Sequence, residues 1–529
     1  MKVLFSAFHF AYYRNYESVL CALAERGHQV HVTADITEHT GGQAIVERVA
    51  AAYPDRVTWG FAPPLAPWRW TPFAQRLRYA LDHVRFADPQ YDPVPKYRTR
   101  ADVWTPGIVR ALCRLPGVNS ARGRNLLARA LVWLERGLPT CPAMDAFIAE
   151  QNPDVVVLAS VANPPALQLD HLKSSMAAGR HASISVWSWD HLAGKAWLKI
   201  VPEQLLVWND TLKQEAVTLH GIAPDRVVVT GAQCYDQWFE RRPSRDRETF
   251  CREVGLDPAR PFILYVCSVL SKPAPLEPPF VMEWIRHIRT SADPVLRSAG
   301  LLIRPHPERM KEWEGVSFEG FENVAFRGGH PVNADAKADY FDSMYHSAAV
   351  MGLVTSASVE AAVVGRPNYT IQLPAYREHQ EQSPHFHHLM RAAGGLLYSA
   401  SSFDEHVAHL SAALSDPATP AARSRRFVEG FVRPNGMDVR ATDTFVAALE
   451  SLAARPAPKP EAFGAPSRRV VVELVRAVAS IPGLEWLSEI GSQTERRQFM
   501  RDRERRRRVA AFKTRVKGLL GDRLVGLFR

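Results

Sequence analysis

The sequence predicts an α/β protein with two tandem Rossmann-like, doubly wound domains and a basic helical C-terminal tail. The chain of 529 residues is longer than one hydrophobic core usually organises, which favours more than one domain. In both halves, short apolar runs typical of buried parallel strands alternate with stretches of helical periodicity. Most of the net charge of +10 lies in residues 492–529, outside these alternating elements.

The first half of the chain predicts an N-terminal domain over residues 1–240. It opens with the strand KVLFSAF, the helix ESVLCALAERG and the strand HQVHVTA, which together make a βαβ unit. Residues 62–142 are rich in Trp, Arg and Pro and have helical periodicity, so we expect a helical insertion there. The strands PDVVVLAS, HASISVWSWD, QLLVWND and RVVVTGA then complete the sheet.

The charged segment 241–257 predicts a linker between the two domains. Apolar runs follow in PFILYVCSVL, LLIRPHP, NVAFRG, AAVMGLVTS and PNYTIQL, and they predict a second domain over residues 258–455. Residues 456–529 comprise a second linker, rich in Pro, and the tail. Because neither domain has a strong Gly-rich dinucleotide fingerprint, we expect the ligand in a cleft faced by the carboxyl ends of both sheets.

Cysteine usage and hydropathy exclude several classes of protein. The six cysteines are scattered without a CxxC pair, which argues against a zinc site or a disulfide framework and favours a reducing cytoplasm. The N-terminal MKVLFSAFHF indicates a buried strand rather than a signal peptide, and no stretch is apolar enough to span a bilayer. We predict no metal site, because no acid or cysteine partner is apparent near His379, His385, His387 and His388.

The tail combines positive charge with an apolar period. Residues 492–529 contain thirteen Lys or Arg against four Asp or Glu, so the rest of the chain is nearly neutral. From Phe512 to Phe528, apolar residues recur at helical spacing with basic residues between them. This pattern predicts a basic amphipathic helix that adsorbs on an anionic membrane surface. Nucleic-acid binding, which the pattern favours less, simple solvation and self-association are the alternatives.

Two junctions between a strand and a loop predict an anion site in the second domain. In LLIRPHPER, Arg304 and His306 stand at the carboxyl end of a strand, with a proline on each side of the histidine. In VTSASVEAAVVGRP, hydroxyl side chains lie between a strand and the helix VEAAVVG, where phosphate binds readily. An ordinary turn and an ordinary helix cap are the competing interpretations. The predicted donor-binding residues are Ser268, Lys272, Arg304, His306, Thr355, Ser356, Ser358 and Glu360.

The first domain carries two candidate general bases at the carboxyl ends of its predicted strands. His9 follows the first strand, and a neutral imidazole accepts a proton near pH 7. Asp190, at the end of VWSWD, is the alternative base, and either residue could instead shape the acceptor pocket. His306 completes the predicted catalytic set, because a phosphate that departs with growing negative charge requires a nearby hydrogen-bond donor.

These motifs resemble those of GT-B glycosyltransferases, and more narrowly those of bacterial enzymes of surface and capsular polysaccharide and teichoic-acid synthesis, including CDP-glycerol glycerophosphotransferases. The resemblance rests on the HP motif beside Arg304, on the Ser motif from Ser356 to Glu360, and on WSWDHLAGKAW with LLVWNDTLKQEAVTLHGIAPDRVVVTGAQCYDQWF. It covers about residues 1–450. It implies two domains of GT-B type, with a nucleotide-activated donor held by the C-terminal domain and no cofactor or metal.

The resemblance implies a glycosyltransferase that moves a sugar or a polyol phosphate to a surface glycan or a lipid-linked acceptor, with inversion. Such an enzyme is expected in the cytoplasm, on the inner face of the cell membrane. Two alternatives stay open. One is a non-hydrolysing nucleotide-sugar 2-epimerase of the same fold, and the other is a catalytically degenerate scaffold that binds glycans.

Overall fold

The computed structural model describes residues 1–38, 41–65, 68–159, 161, 166–270, 274–329 and 334–478. The chain packs into two compact units. Unit 1 comprises Met1–Leu206, Leu219–Arg226 and the chain from Ala448 onward, and unit 2 comprises Val207–Thr218 and Val227–Ala447. Two parallel sheets flanked by helices confirm the prediction of an α/β protein with two Rossmann-like domains. The predicted tail lies outside the described residues.

The first sheet reverses its strand order at its first strand. Its strands are β1 (Lys2–His9), β2 (Gln29–Ile36), β3 (Val57–Phe61), β4 (Val155–Leu158), β5 (His181–Ser185), β6 (Gln204–Val207) and β7 (Val227–Val229). Their order across the sheet is β3-β2-β1-β4-β5-β6-β7, and the pairs from β3 to β6 are parallel. All four residues of β4 are buried, as expected of a parallel strand covered on both faces.

Helices connect these strands and form the predicted insertion. Between the strands of the first sheet lie α1 (Glu17–Glu25), α2 (Gly42–Ala52), α8 (Pro142–Gln151), α9 (Leu169–Ala177), α10 (His191–Gly194) and α11 (Asp210–His220). The region expected to hold inserted helices contains α3 (Thr71–Phe86), α4 (Pro95–Asp102), α5 (Gly107–Arg114), α6 (Pro116–Asn119) and α7 (Ala121–Gly137).

The second sheet repeats the topology of the first. Its strands are β8 (Phe262–Val266), β9 (Gly300–Arg304), β10 (Val324–Phe326), β11 (Ala349–Met351), β12 (Asn368–Ile371) and β13 (Leu397–Ala400). They are arranged in the order β10-β9-β8-β11-β12-β13, and every pair is parallel. The order therefore reverses at β8, which has β9 on one side and β11 on the other.

The remaining helices follow β7 and cover the second sheet or return to unit 1. They are α12 (Asp236–Glu240), α13 (Arg247–Val254), α14 (Glu277–Arg289), α15 (Pro294–Ser298), α16 (Ala334–Tyr345), α17 (Ala357–Val363), α18 (Pro384–Arg391), α19 (Phe403–Ser415), α20 (Ala418–Phe431), α21 (Ala441–Ala453) and α22 (Pro466–Val478). Residues 241–257, expected to be a linker, contain α13 and belong to unit 2. Within the described residues, no helix combines the length and apolar composition needed to cross a bilayer.

Both faces of the second sheet are covered, because side chains alternate along its central strand. Ile263 and Tyr265 of β8 lie in one hydrophobic cluster with Trp284 of α14. Phe262 and Leu264 lie in a second cluster, which includes residues of α13 and α17. Each fully buried large apolar side chain contributes roughly 1.5–3 kcal/mol to folding. This two-sided core fixes the strand ends from which the candidate site is built.

A buried charge network ties two of the inserted helices to α9, the helix between β4 and β5. Arg78 of α3 donates to Asp170 Oδ1 at 2.8 Å and to Glu135 Oε1 at 2.9 Å, and Lys173 Nζ donates to Glu135 Oε1 at 3.3 Å. All four side chains are buried, and their formal charges balance. Burial alone would raise the pKa of Glu135, but Arg78 and Lys173 lower it to about 2. The network therefore joins α3 and α7 to α9.

Candidate functional site

In open parallel sheets, ligands bind outside the carboxyl ends of the strands, at the point where the strand order reverses. In the second sheet this point lies between β8 and β11. Ser268 follows β8, and the Ser motif follows β11. The donor-site residues predicted from two distant stretches of sequence therefore come from adjacent strands.

Ser268 joins the two loops directly. Its Oγ accepts a hydrogen bond from the Val354 backbone N–H at 3.0 Å, and its own N–H donates to Glu277 Oε2 at 2.8 Å. Ser268 is buried, so the bond is shielded from water. The structure thus gives Ser268 a positioning contact in the predicted donor site. Lys272, predicted beside it, lies outside the described residues.

Two of the three hydroxyl residues of the Ser motif precede the helix as expected, and the third lies inside it. Ser358 was predicted to precede the helix, but α17 begins at Ala357, so Ser358 is a buried helix residue. Thr355 Oγ1 accepts from the Ala357 N–H at 3.3 Å. Ser356 is the exposed N-cap residue, and its side chain makes no capping hydrogen bond. The helix has seven residues, as many as the predicted VEAAVVG, but it begins two residues earlier.

Arg304 is directed into the protein. Its Nη2 donates to Asp339 Oδ2 at 3.0 Å, and its Nη1 donates to Ser343 Oγ at 3.0 Å and to the Asp339 carbonyl at 3.1 Å. The side chain is buried, and its partners all lie on α16. These contacts give Arg304 a structural role, and its contact with a phosphate stays a prediction.

Three arginine guanidinium groups form ion pairs with Asp339. Arg245 and Arg327 donate to its Oδ1 at 3.0 and 3.1 Å, beside the Arg304 contact to Oδ2. Burial alone would raise the pKa of Asp339, yet the three arginines hold it below its usual value. Arg327 follows β10 and is the most exposed of the three side chains. The sequence analysis missed this cluster, because its members are scattered between residues 245 and 339.

His306 stands between two prolines in extended backbone, as predicted. Its Nδ1 accepts from the Glu308 N–H at 3.2 Å, which caps the turn beginning at Pro307. A neutral imidazole that accepts at Nδ1 carries its proton on Nε2. The geometry therefore sets the tautomer of His306 that can donate to an anion through Nε2.

Glu360 and Glu277 complete the surroundings of this sheet edge. Tyr340 donates to Glu360 Oε2 at 2.7 Å, and the Arg304 guanidinium lies over the Tyr340 ring at 5.4 Å. Glu277 is buried and accepts from the Tyr265 hydroxyl at 2.9 Å as well as from Ser268. Burial raises the pKa of Glu277 to about 8, although both hydrogen bonds oppose that shift. The sequence analysis did not select Glu277, since burial is its only distinguishing property.

In unit 1, an aromatic cluster joins the end of β1 to the loop that follows β5. His9 was expected after the first strand, but it is the last residue of β1. The His9 ring packs on Tyr12 with centroids 4.6 Å apart, and Tyr12 packs on Trp187 at 4.8 Å. Trp187 Nε1 donates to the Tyr12 carbonyl at 3.3 Å. Asp190 lies three residues after Trp187. The carboxyl ends of β1 and β5 therefore contribute to one cluster.

The two predicted bases have different electrostatic surroundings. Burial lowers the pKa of His9, while Glu38 opposes the shift, so the imidazole is neutral at pH 7. Asp190 is half-buried, with its Oδ2 3.7 Å from Lys195 Nζ. Of the two, His9 is the group whose surroundings keep it in the neutral form that accepts a proton.

Two of the clustered histidines contact oxygen atoms of the protein. His387 Nε2 is 2.8 Å from the Glu381 carbonyl, and His388 Nε2 is 2.7 Å from Glu215 Oε1. Across the part of the chain that the structure describes, no group of three or more His, Cys, Asp or Glu side chains is placed to hold a metal ion.

Comparisons with known proteins gave structural similarities only. No protein-family model matches the chain, and no curated sequence does. A UDP-GlcNAc 2-epimerase from Neisseria meningitidis bound to UDP-GlcNAc matches 85% of the chain and 100% of its own length, at 10% identity and TM-score 0.49. A glycosyltransferase from Rickettsia africae ESF-5 matches 86% and 99%, at 10% identity and TM-score 0.49. The lipopolysaccharide outer core galactosyltransferase WaaB matches 85% and 99%, at 13% identity and TM-score 0.43.

Proposed function

We propose that the protein is a GT-B glycosyltransferase that moves a sugar or a polyol phosphate from a nucleotide-activated donor to a surface glycan or a lipid-linked acceptor. The observation that carries this proposal is the hydrogen bond between Ser268 and Val354. It holds the loop after β8 against the Ser motif at the strand-order reversal of the second sheet, where α/β sheets bind nucleotides.

In this proposal, unit 2 binds the nucleotide-activated donor. As the bond to the donor breaks, negative charge grows on the departing nucleotide phosphate, and fixed hydrogen-bond donors stabilise it. Ser356 is exposed. The Glu308 N–H that donates to His306 Nδ1 holds the imidazole in the tautomer that donates through Nε2. Arg327 places a half-exposed guanidinium after β10, the strand that neighbours β9. In this proposal the transfer requires no metal, because these groups supply the charge stabilisation.

Unit 1 is assigned the acceptor. Neutral His9 takes the proton of the acceptor hydroxyl. An electron pair of the acceptor oxygen then attacks the donor carbon or phosphorus. The bond to the nucleotide phosphate breaks, and its electron pair leaves with that phosphate. One direct displacement inverts the configuration at the reacting centre. Asp190 is the alternative base. We further propose a peripheral location on the inner face of the cell membrane, with residues 492–529 as an anionic-lipid contact.

A nucleotide-sugar 2-epimerase is the second candidate, and Glu277 favours it. A buried carboxyl group whose pKa is about 8 is suited to proton transfer near neutral pH. An epimerase would convert the donor sugar without any acceptor. A transferase would release the nucleotide only as an acceptor or water takes the transferred group.

The test is turnover of a panel of UDP-, CDP- and GDP-activated sugars together with CDP-glycerol. We expect release of one nucleotide, and weaker release from the Ser268→Ala protein. The Ser347→Ala protein is the control, because Ser347 is equally buried in unit 2 but bonds only within its own turn. A new sugar epimer formed without acceptor would support the second candidate. Binding without any turnover would identify a scaffold and overturn both.

A further inference from the structure

One face of α22 is apolar and exposed. Its members are Val470, Val471, Leu474, Val475 and Val478, whose exposed fractions lie between 37% and 59%. Val470, Leu474 and Val478 follow at intervals of four residues, and Val471 and Val475 form a parallel row, so the five side chains share one broad side of the helix.

The opposite side of α22 is packed against the inserted helices of unit 1. Val472 is fully buried there. It approaches Gly137 of α7 so closely that a Cβ at residue 137 would lie 2.9 Å from Val472 Cγ2. The helix is therefore held in a fixed orientation by one side. Single exposed aliphatic residues are ordinary on a protein surface, but a continuous row of five on a docked helix marks an interaction surface.

Cationic side chains lie along one flank of this row and on the packed side of α22. Arg468 lies over the Trp133 ring at 5.9 Å, while Arg69 and Arg476 lie over the Trp70 ring at 5.1 and 4.9 Å. Arg469, also on α22, is exposed. The one acidic residue of α22 is Glu473, which pairs with Arg69 at 3.2 Å and with Arg476 at 3.3 Å.

The neighbouring helix continues the pattern. On α7, exposed Arg122, Leu126, Arg129 and Trp133 follow at intervals of three or four residues, so basic and apolar side chains alternate along one face. We define the α7–α22 surface as these four residues together with the five aliphatic residues of α22 and Arg468.

We infer that the α7–α22 surface lies on an anionic phospholipid bilayer, with the aliphatic side chains at the boundary of the acyl chains and the arginines among the headgroup phosphates. An apolar row rimmed by arginine and tryptophan is the pattern of an interfacial helix. The inference concerns binding alone, and it holds whichever reaction the protein catalyses.

Charge complementarity favours lipid over the other occupants. Two copies of the chain meeting at this surface would bring like-charged arginine rims together. The segment 479–529 begins directly after α22, but it carries thirteen Lys or Arg against six Asp or Glu, so its net charge opposes packing on a cationic rim. An anionic membrane satisfies both the apolar row and the rim.

The test is co-sedimentation of the full chain with phosphatidylglycerol–phosphatidylcholine vesicles and with pure phosphatidylcholine vesicles. We expect binding to the anionic vesicles, and a loss of about tenfold or more in the Val470→Asp/Leu474→Asp protein, since each aspartate removes apolar contact and adds repulsion. Val295→Asp/Val439→Asp is the matched control, because both valines are comparably exposed but lie in unit 2. The control should bind like the unaltered chain.

Further measurements separate the competing occupants. A full chain with Arg505, Arg506, Arg507 and Arg508 replaced by Glu should retain part of its vesicle binding. Binding lost entirely in that protein but unchanged in Val470→Asp/Leu474→Asp would show that the tail alone contacts lipid, and would overturn the inference. So would an absence of binding by the unaltered chain, or a dimer that dissociates in the aspartate variant. A lower melting temperature of the aspartate variant than of its control would also overturn the inference. That result would show that another part of the protein covers the apolar face of α22.

Discussion

The Ser268 hydroxyl accepts the Val354 backbone N–H at 3.0 Å and so binds the loop after β8 to the loop after β11. The two residues are 86 positions apart, yet they meet where the strand order of the second sheet reverses. Glu277 holds the other side of Ser268 through the serine N–H. The shape of the proposed donor site therefore depends on one small buried side chain.

Replacing Ser268 with alanine should weaken both folding and nucleotide binding. The change leaves the Val354 N–H without its acceptor, which costs about 1–3 kcal/mol of unfolding free energy. We expect the loosened loops to cost about 1.4 kcal/mol or more of binding free energy, which lowers nucleotide affinity about tenfold or more. Chemical denaturation and calorimetric titration measure the two effects. If Ser268→Ala lost stability but bound nucleotide as well as Ser347→Ala does, the loop contact would have no role in the site.

Replacing Asp339 with asparagine should destabilise unit 2. The neutral amide leaves buried Arg304 without its anionic partner, and it removes one ion pair from Arg245 and one from Arg327. Breaking a buried ion pair costs about 3–5 kcal/mol of unfolding free energy. We expect about 3 kcal/mol here, because half-exposed Arg327 can still be solvated by water. Glu248→Gln, in an exposed pair with Arg252, should cost less than about 0.5 kcal/mol. Equal effects of the two changes in denaturant titrations would contradict a structural role for the cluster.

His9 should set the acidic limb of the pH–activity profile. A general base must be neutral to accept a proton, and burial places the pKa of His9 below 6.5. We therefore expect kcat/KM to be constant near neutral pH and to decline only as the pH falls through that lowered pKa. His9→Gln should reduce kcat by about 10²–10⁴ and abolish this limb.

Asp190→Asn is the comparison for His9. If His9 is the base, Asp190→Asn retains the acidic limb and lowers kcat by less than His9→Gln does. A profile that loses its acidic limb in Asp190→Asn but keeps it in His9→Gln would assign the base to Asp190.

Glu277 should make stability decrease as the pH rises. Its folded pKa of about 8 exceeds the unfolded value of 4.5, so the folded state binds the proton more tightly. This contribution is complete below pH 4.5 and is lost as the pH rises through about 8. Within that window the carboxyl contributes a slope of about 1.4 kcal/mol per pH unit. Glu277→Gln should remove the slope in denaturant titrations at several pH values, whereas exposed Glu319→Gln should leave it unchanged.

Much of the fold followed from local pattern. Strands such as Val155–Leu158 are short runs of buried aliphatic residues, and such runs predict parallel strands before any contact is known. The same logic predicted the extended backbone of His306 between its prolines, although it placed His9 beyond the first strand, of which His9 is the last residue. These features depend on side-chain period and on the fixed φ of proline, which are properties of adjacent residues.

The sequence by itself determined the two αβα units and the strand ends on which the candidate residues stand. Only the tertiary structure decided what those residues contact: Arg304 turns to Asp339, Ser268 binds Val354, and Glu277 is buried deeply enough to raise its pKa to about 8. The order of strands across a sheet, and the burial of a charge, depend on packing between residues far apart in the chain. No local pattern carries that information, because desolvation and pairing are set by neighbours in space.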